Sequence, residues 1–342
     1  MIPRKFIFAT IFSLICLGLI ALFCLITGYS DISWRDVLDI VSRRLKGEEL
    51  SQSLQREQSI LLELRVPRIW LGTLVGGSLS ISGSVFQGLL RNPLADPYIL
   101  GVSSGAILCM SIVILLKLPS TFLPIFALIG AISSLFLVYS LAVENKRLSS
   151  NTLLLAGVIS NFFFSALLMF FMTKAGSQLV EIINLLMGSL AFIHTMPIQG
   201  FLPIISFIII LLSGGLWLFS RDLNALAFGD EIARSMGVDV VKTKKLLFIL
   251  TSSLVGLSVS LSGAIGFVGL IIPHLVRMII GPDHRGLMPI SFIAGGGFLI
   301  LCDTAARSLS AVEIPVGVIT SFFGAPFFAA LLKIKKSSWQ SI

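Results

Sequence analysis

Few residues in this chain of 342 could do chemistry. Asp303 and Arg307 stand four apart in an otherwise apolar run, a spacing that puts an acid and a base on one helix face, where pairing with each other is a structural role. His194 and His274 each adjoin a proline-containing break, and a lone histidine there reads as a satisfied polar residue at a helix end, not as a metal ligand. Cys16, Cys24, Cys109 and Cys302 all lie inside apolar runs without CxxC spacing, so they read as membrane-buried thiols. Neither a phosphate-binding GxxxxGKS/T loop nor an HExxH zinc pair occurs. We assign no catalytic residue, no metal and no cofactor, and the chain cannot hydrolyse ATP alone. An intramembrane enzyme would need a His, Asp or Glu combination facing a wet cavity, and the apolar runs supply none.

The elements around these residues are built for lipid. The chain is 56% hydrophobic and 12% charged, with a mean hydropathy of +1.00, which excludes a soluble domain of ordinary makeup. Its net charge of +8 is spread singly and in small groups beside hydrophobic runs, which points to membrane topology rather than to a nucleic-acid stripe. A bilayer core takes roughly 20 apolar residues per helix. Uncharged runs near 6–28, 68–90, 97–116, 120–143 and 151–173 meet that length. The first is longer than a signal-peptide core and lacks a small-residue cleavage site, so it reads as the first spanning helix.

The next run, Ile182 to Ser220, is too long for one helix and is broken by His194, Pro197 and Gly200. It divides into a re-entrant or interfacial helix over 182–193 and a span over 198–220. Glycines 256, 263, 266 and 269 with Pro273 likewise break the stretch from Leu246 to His274. If that stretch crosses out and back, with a short helix near 268–280, the tail of Lys333, Lys335 and Lys336 falls inside, as the positive-inside rule asks. Spans near 287–308 and 314–332 then complete ten crossings, with both termini cytoplasmic. The basic residues Arg91, Arg221, Arg234, Lys242, Lys244, Lys245, Arg277 and Arg285 lie inside, whereas those of the outer 30–68 loop are interleaved with acids.

Within the second span Gly72, Gly76, Ser80, Ser84 and Gly88 recur every fourth position, forming a small-residue groove where another helix backbone can approach. The inside loop 221–245 spaces Ala225, Phe228, Ile232 and Met236 as a short amphipathic helix or helix pair. It suits either docking of a cytoplasmic partner or a helix lying on the membrane surface. Ion-coupled secondary carriers usually hold buried carboxylates or histidines within their spans, which are nearly absent here, so that alternative has weaker support.

Three segments add a resemblance. RVPRIWLGTLVGGSLSISGSVFQGLLRNPLADPYILGVSSG from Arg65, the GDEIARSMGV loop from Gly229, and GFVGLIIPHLVRMIIGPDHR followed by EIPVGVITSFFGAPFF together resemble the FecCD family of ABC-transporter permeases. That family includes importers of cobalamin, haem and ferric siderophores. The resemblance covers nearly the whole chain beyond the first helix and implies an all-α polytopic permease of the type II importer class. It implies ten spans in a single domain over 1–342, a homodimer in the inner membrane, two separate ATP-binding subunits and a soluble substrate-binding protein outside. By position, Arg65, Arg68 and Arg307 look like the outer basic residues that meet acids on the binding protein. Gly229, Asp230, Glu231, Ala233, Arg234 and Gly237 fall in the loop that seats in the ATPase groove. Asn92 and Leu94, with Ser150 and Asn151, match the inner gate, although Asn151 also suits a helix N-cap and Asn92-Pro93 an ordinary turn.

Overall fold

Apolar stretches without water must satisfy their own backbone amides, and the helix is the local structure that does so. The computed structural model describes residues 4–28, 33–46, 52–98, 100–144, 147–148, 150–191, 202–309 and 313–339. In chain order the helices are α1 (Arg4–Ile26), α2 (Trp34–Lys46), α3 (Gln52–Ser59, continued by a π-helical turn Ile60–Arg65), α4 (Val66–Leu90), α5 (Val102–Leu115), α6 (Leu123–Ala142) and α7 (Ser150–Lys174). They continue as α8 (Leu179–Met187), α9 (Leu202–Leu218), α10 (Ser220–Ala227), α11 (Asp230–Ser235), α12 (Val240–Ser262), α13 (Val268–Ile280), α14 (His284–Ser308) and α15 (Val316–Trp339). A two-residue ribbon, Val143–Glu144 against Arg147–Leu148, joins α6 to α7. Among the described residues six helices are long and apolar enough to cross a membrane, and the bent pair α9–α10 makes a seventh. Val102–Leu115, Val268–Ile280 and Val316–Ala330 are shorter apolar helices.

α4 is the centre of the bundle, buried at almost every position from Leu71 to Leu90. Its small residues let α14 and α13 approach to backbone contact, as the four-residue spacing requires. A Cβ on Gly76 would overlap the Gly295 carbonyl of α14, and one on Gly83 would overlap the Gly269 carbonyl of α13. Gly105 and Gly130 bring α5 and α6 together in the same way. One end of the bundle, where α4 and α12 meet, carries Arg91; the opposite end carries Arg65, Arg68 and Arg307. We refer to them as the hairpin end and the arginine end.

Two prolines lie inside helices at the core, and each leaves a carbonyl four residues back without its helical donor. Pro273 frees the Gly269 carbonyl, which accepts from Gln87 Nε2 of α4 at 3.3 Å. Pro289 frees the Arg285 carbonyl, which accepts from Trp217 Nε1 of α9 at 3.0 Å. Both breaks are therefore repaired by a side chain from a neighbouring helix.

Three features depart from the sequence-based expectations. The outer 30–68 stretch expected as a loop is mostly helical. α2 is amphipathic and packs Ile40 with Leu61, Val37, Leu54 and Ile60 against Leu25 of α1, forming a small core of its own. Over 221–245 the expected helix pair is present as α10 and α11, but the last residues of that stretch already belong to α12, which starts at Val240 behind the Asp239 N-cap. α8 stops at Met187 because Gly188 turns left-handed, at φ 68°. The expected break residues His194, Pro197 and Gly200 lie outside the described residues, as do Asp31, Glu48, Glu49 and Lys146.

Candidate functional site

At the arginine end the charged side chains are turned inward. Arg68 holds Asp303 with both forks of its guanidinium, Nε at 2.9 Å and Nη2 at 2.8 Å, and also pairs with Glu313. Asp303 receives Arg307 Nε at 3.5 Å as the four-residue spacing predicts, but its principal partner is Arg68 of another helix. Arg307 Nη2 donates to the Cys24 carbonyl at 2.8 Å, and Arg65 Nη1 donates to the Leu25 and Ile26 carbonyls at 2.5 and 2.8 Å. The last carbonyls of a helix lack intrahelical donors and carry its negative dipole end, so two arginines cap α1. Arg65 and Arg68 are only 4% and 9% exposed. In this structure all three arginines tie α1, α4 and α14 together instead of standing free on the surface.

In the middle of the bundle three chain breaks meet. Ala264 N–H donates to the Leu185 carbonyl at 2.8 Å, Ser189 N–H to the Ser262 carbonyl at 2.7 Å, and Gly317 N–H to the Gly188 carbonyl at 3.3 Å. The end of α8, the α12–α13 break and the start of α15 thus bond backbone to backbone, and only glycine fits: a Cβ on Gly188, Gly263 or Gly317 would overlap a facing carbonyl. Phe267, which caps α13, sits at φ 69°, a conformation strained for a bulky residue. Beside it opens a cavity of about 440 Å³, lined by Asp96, Tyr98, Met187, Phe267, Leu270 and Ser321 among others. Asp96 is buried and accepts the Tyr98 N–H at 3.1 Å.

At the hairpin end α4 terminates with Arg91 in the left-handed region, at φ 50°. Asn92 Oδ1 then accepts the Leu94 N–H at 2.9 Å, an Asx turn that shapes the hairpin. Leu94 is exposed. Arg91 Nη1 comes within 3.4 Å of where a Cβ on Gly229 would stand, so the hairpin lies beside the α10–α11 pair. Gly229 and Gly237 take φ 118° and 88° at the two ends of α11, conformations that suit glycine. Asp230 is held by Lys244 Nζ at 2.7 Å, Ala233 is buried, and Glu231 and Arg234 are exposed. Phe228, Ile232 and Met236 are 70%, 49% and 63% exposed, an apolar face presented outward. Ser150 and Asn151 open α7; their side chains lie outside those described.

Behind this face sits a polar cluster that sequence reading passed over. Asn224 of α10 bonds Asp283 at 2.8 Å, the His284 N–H at 2.9 Å and His284 Nδ1 at 2.8 Å. Hydrogen bonds from Arg285 hold the Asp283 carboxyl down at about 2, so it is an anion and can only accept. The only signal in the sequence was the run Asp283-His284-Arg285 itself, with nothing to indicate its partner on α10.

The run Gly101 to Gly105 matches the GxSxG spelling of a hydrolase nucleophile. It opens α5 after a loop, not after the strand such an elbow needs, and Ser103 is buried.

Comparison with known proteins identifies the family. The chain matches the model of the FecCD transport family over residues 14–334. It is 43% identical over 283 residues to the cobalamin import system permease protein BtuC of Halobacterium salinarum, covering 81% of this chain and 74% of the relative. It is 39% identical over 284 residues to the hemin transport system permease protein HmuU of Yersinia pestis, covering 80% of this chain and 83% of the relative. A solved inward-facing conformation of a metal-chelate type ABC transporter superposes with a TM-score of 0.79 at 31% identity, covering 96% of this chain and 99% of that one. A family match over residues 14–334, on a bundle of apolar helices, leaves one assignment: the chain belongs to the FecCD transport family.

Proposed function

We propose that this chain is the membrane permease of an ABC importer that brings a metal chelate, such as a ferric siderophore, haem or cobalamin, into the cell. The family match over residues 14–334 carries this reading. Relatives named for cobalamin and hemin support the chelate class, and their variety leaves the cargo to be set by the binding protein and the pathway lining.

In this reading the arginine end is outside, the hairpin end is cytoplasmic, and ten crossings put both termini in the cytoplasm. Two copies enclose the pathway in the inner membrane, each bearing one ATP-binding subunit. The exposed face of Phe228, Ile232 and Met236, framed by Gly229, Asp230, Glu231, Arg234 and Gly237 over the buried Ala233, seats that subunit. The Asn92 hairpin with Leu94, together with Ser150 and Asn151 at the start of α7, forms the inner gate, and its proximity to Gly229 supports coupling of the two. Arg65, Arg68 and Arg307 serve the substrate-binding protein by holding the outer ends of α1, α4 and α14 in one surface, with Glu313 as an exposed acid on Arg68.

Co-isolation tests the reading. Affinity-tagged chain expressed with its operon partners is expected to retain an ATPase subunit in detergent, and Ile232→Asp is expected to release it. Isolation of the chain free of any ATPase under conditions where it stays dimeric would count against the proposal.

A further inference from the structure

The cluster around Asn224 joins the coupling pair to two core helices, and its chemistry allows one arrangement. Asp283 only accepts, so the Asn224 amide nitrogen faces it and the amide oxygen faces His284. The same oxygen accepts the His284 backbone N–H at 2.9 Å, which independently requires an acceptor there. His284 Nδ1 therefore carries a proton toward Asn224. The imidazole also makes a hydrogen bond with the Ser84 backbone of α4, and its Nε2 is buried. It points at Gly88 of α4, where a Cβ would stand 2.7 Å away, so the imidazole fills the gap that glycine leaves. Leu223, the neighbour of Asn224, is fully buried and reaches the same spot, 3.5 Å from that Cβ position.

We propose that Asn224 and His284 form a latch that fixes α10 to the inner ends of α4 and α14, making Asn224 the positioning residue through which movement of the coupling pair reaches the helices of the pathway. The inference rests on the reading of residues 228–237 as the ATPase seat. Asn224 touches α14 through three hydrogen bonds, and His284 carries the contact on to α4 through its ring. α4 in turn ends in the Arg91–Asn92 hairpin beside Gly229, so the connection closes on the gate. A shift of α10 that kept these bonds would have to carry the first turn of α14 and the last turn of α4 with it. Interfaces of this kind respond as discrete rearrangements of packed groups.

The test uses the whole transporter, the chain with its ATP-binding subunits and binding protein, in proteoliposomes. ATP hydrolysed and cargo taken up are measured together for Asn224→Ala, His284→Leu, His284→Gln and the double variant Asn224→Ala/His284→Leu. Alanine is the best helix former, so Asn224→Ala keeps α10 intact. The latch predicts that Asn224→Ala retains the ATPase subunit and its hydrolysis while cargo moved per ATP falls about tenfold, within the usual range of coupling between sites. His284→Gln, which can still donate to the Asn224 oxygen, is expected to keep most of the ratio that His284→Leu loses. The double variant is expected to be no worse than the poorer single one, because both break one contact. An unchanged ratio in Asn224→Ala and His284→Leu, or losses that add in the double variant, would overturn the latch. Failure of even the unaltered chain to retain its ATPase through Ile232 and its neighbours would instead overturn the reading beneath it.

Discussion

Single side chains repair what the apolar bundle leaves open. Asp303 is buried against Arg68 with paired contacts, so the charge is tolerated only while its partner is present. Arg68→Ala is expected to cost about 3–5 kcal/mol, the usual penalty for stranding a buried ion, and to show as a large fall in the detergent melting temperature. Replacing both partners with apolar residues should recover much of that loss. Gln87→Leu leaves the Gly269 carbonyl without the donor that Pro273 removed and should cost about 1–3 kcal/mol by the same assay. A Gln87 variant as stable as the parent would contradict this account of the proline break. The four-residue spacing made the Asp303–Arg307 pair visible in sequence. The stronger pairing with Arg68 was not, because it joins residues 235 positions apart and depends on how α4 and α14 pack. For the same reason the α1 carbonyls that Arg65 and Arg307 cap were hidden in the sequence.

At the scale of helices, glycine decides which elements touch. Gly83→Ala is expected to force α4 and α13 apart at a cost of about 1–3 kcal/mol, the usual range for overpacking. Gly215→Ala, on α9 with open space around its Cβ position, should be neutral or stabilising by up to about 1 kcal/mol through helix propensity. Melting temperatures of the two variants side by side check the contrast, and equal behaviour would contradict the packing described. Helix positions were largely legible: the apolar runs near 6–28, 68–90, 120–143 and 151–173, the broken stretch from Leu246 to His274 and the short helix near 268–280 correspond to observed elements, whereas the run near 97–116 holds only the 14-residue Val102–Leu115. The segment from 30 to 65 was not, because α2 and α3 carry too many charges to register as spans, and their small core forms only against Leu25 of α1. The meeting of Gly188, Gly263 and Gly317 was equally hidden, since each glycine alone reads as a helix end and only the fold brings them together.

For the whole molecule, the two ends do different work. The arginine end is a closed ionic knot, whereas the hairpin end shows an exposed apolar face that a solitary bundle would have no reason to keep in water. Phe228→Ser together with Ile232→Asp is expected to abolish retention of the ATPase subunit while leaving the melting temperature of the chain within about 1 °C, because exposed substitutions away from packed features change stability little. Loss of stability without loss of binding would place that face in the fold and not in the partnership. The central claim is that ATP hydrolysed by partner subunits drives cargo through this chain, and energy source is its most direct test. Proteoliposomes holding the chain, its ATP-binding subunits and its binding protein are given the chelate that the binding protein retains, with ATP or an ion gradient supplied separately. Uptake that requires ATP and both partners, and ignores the gradient, is the result expected; gradient-driven uptake by the chain alone would contradict the account.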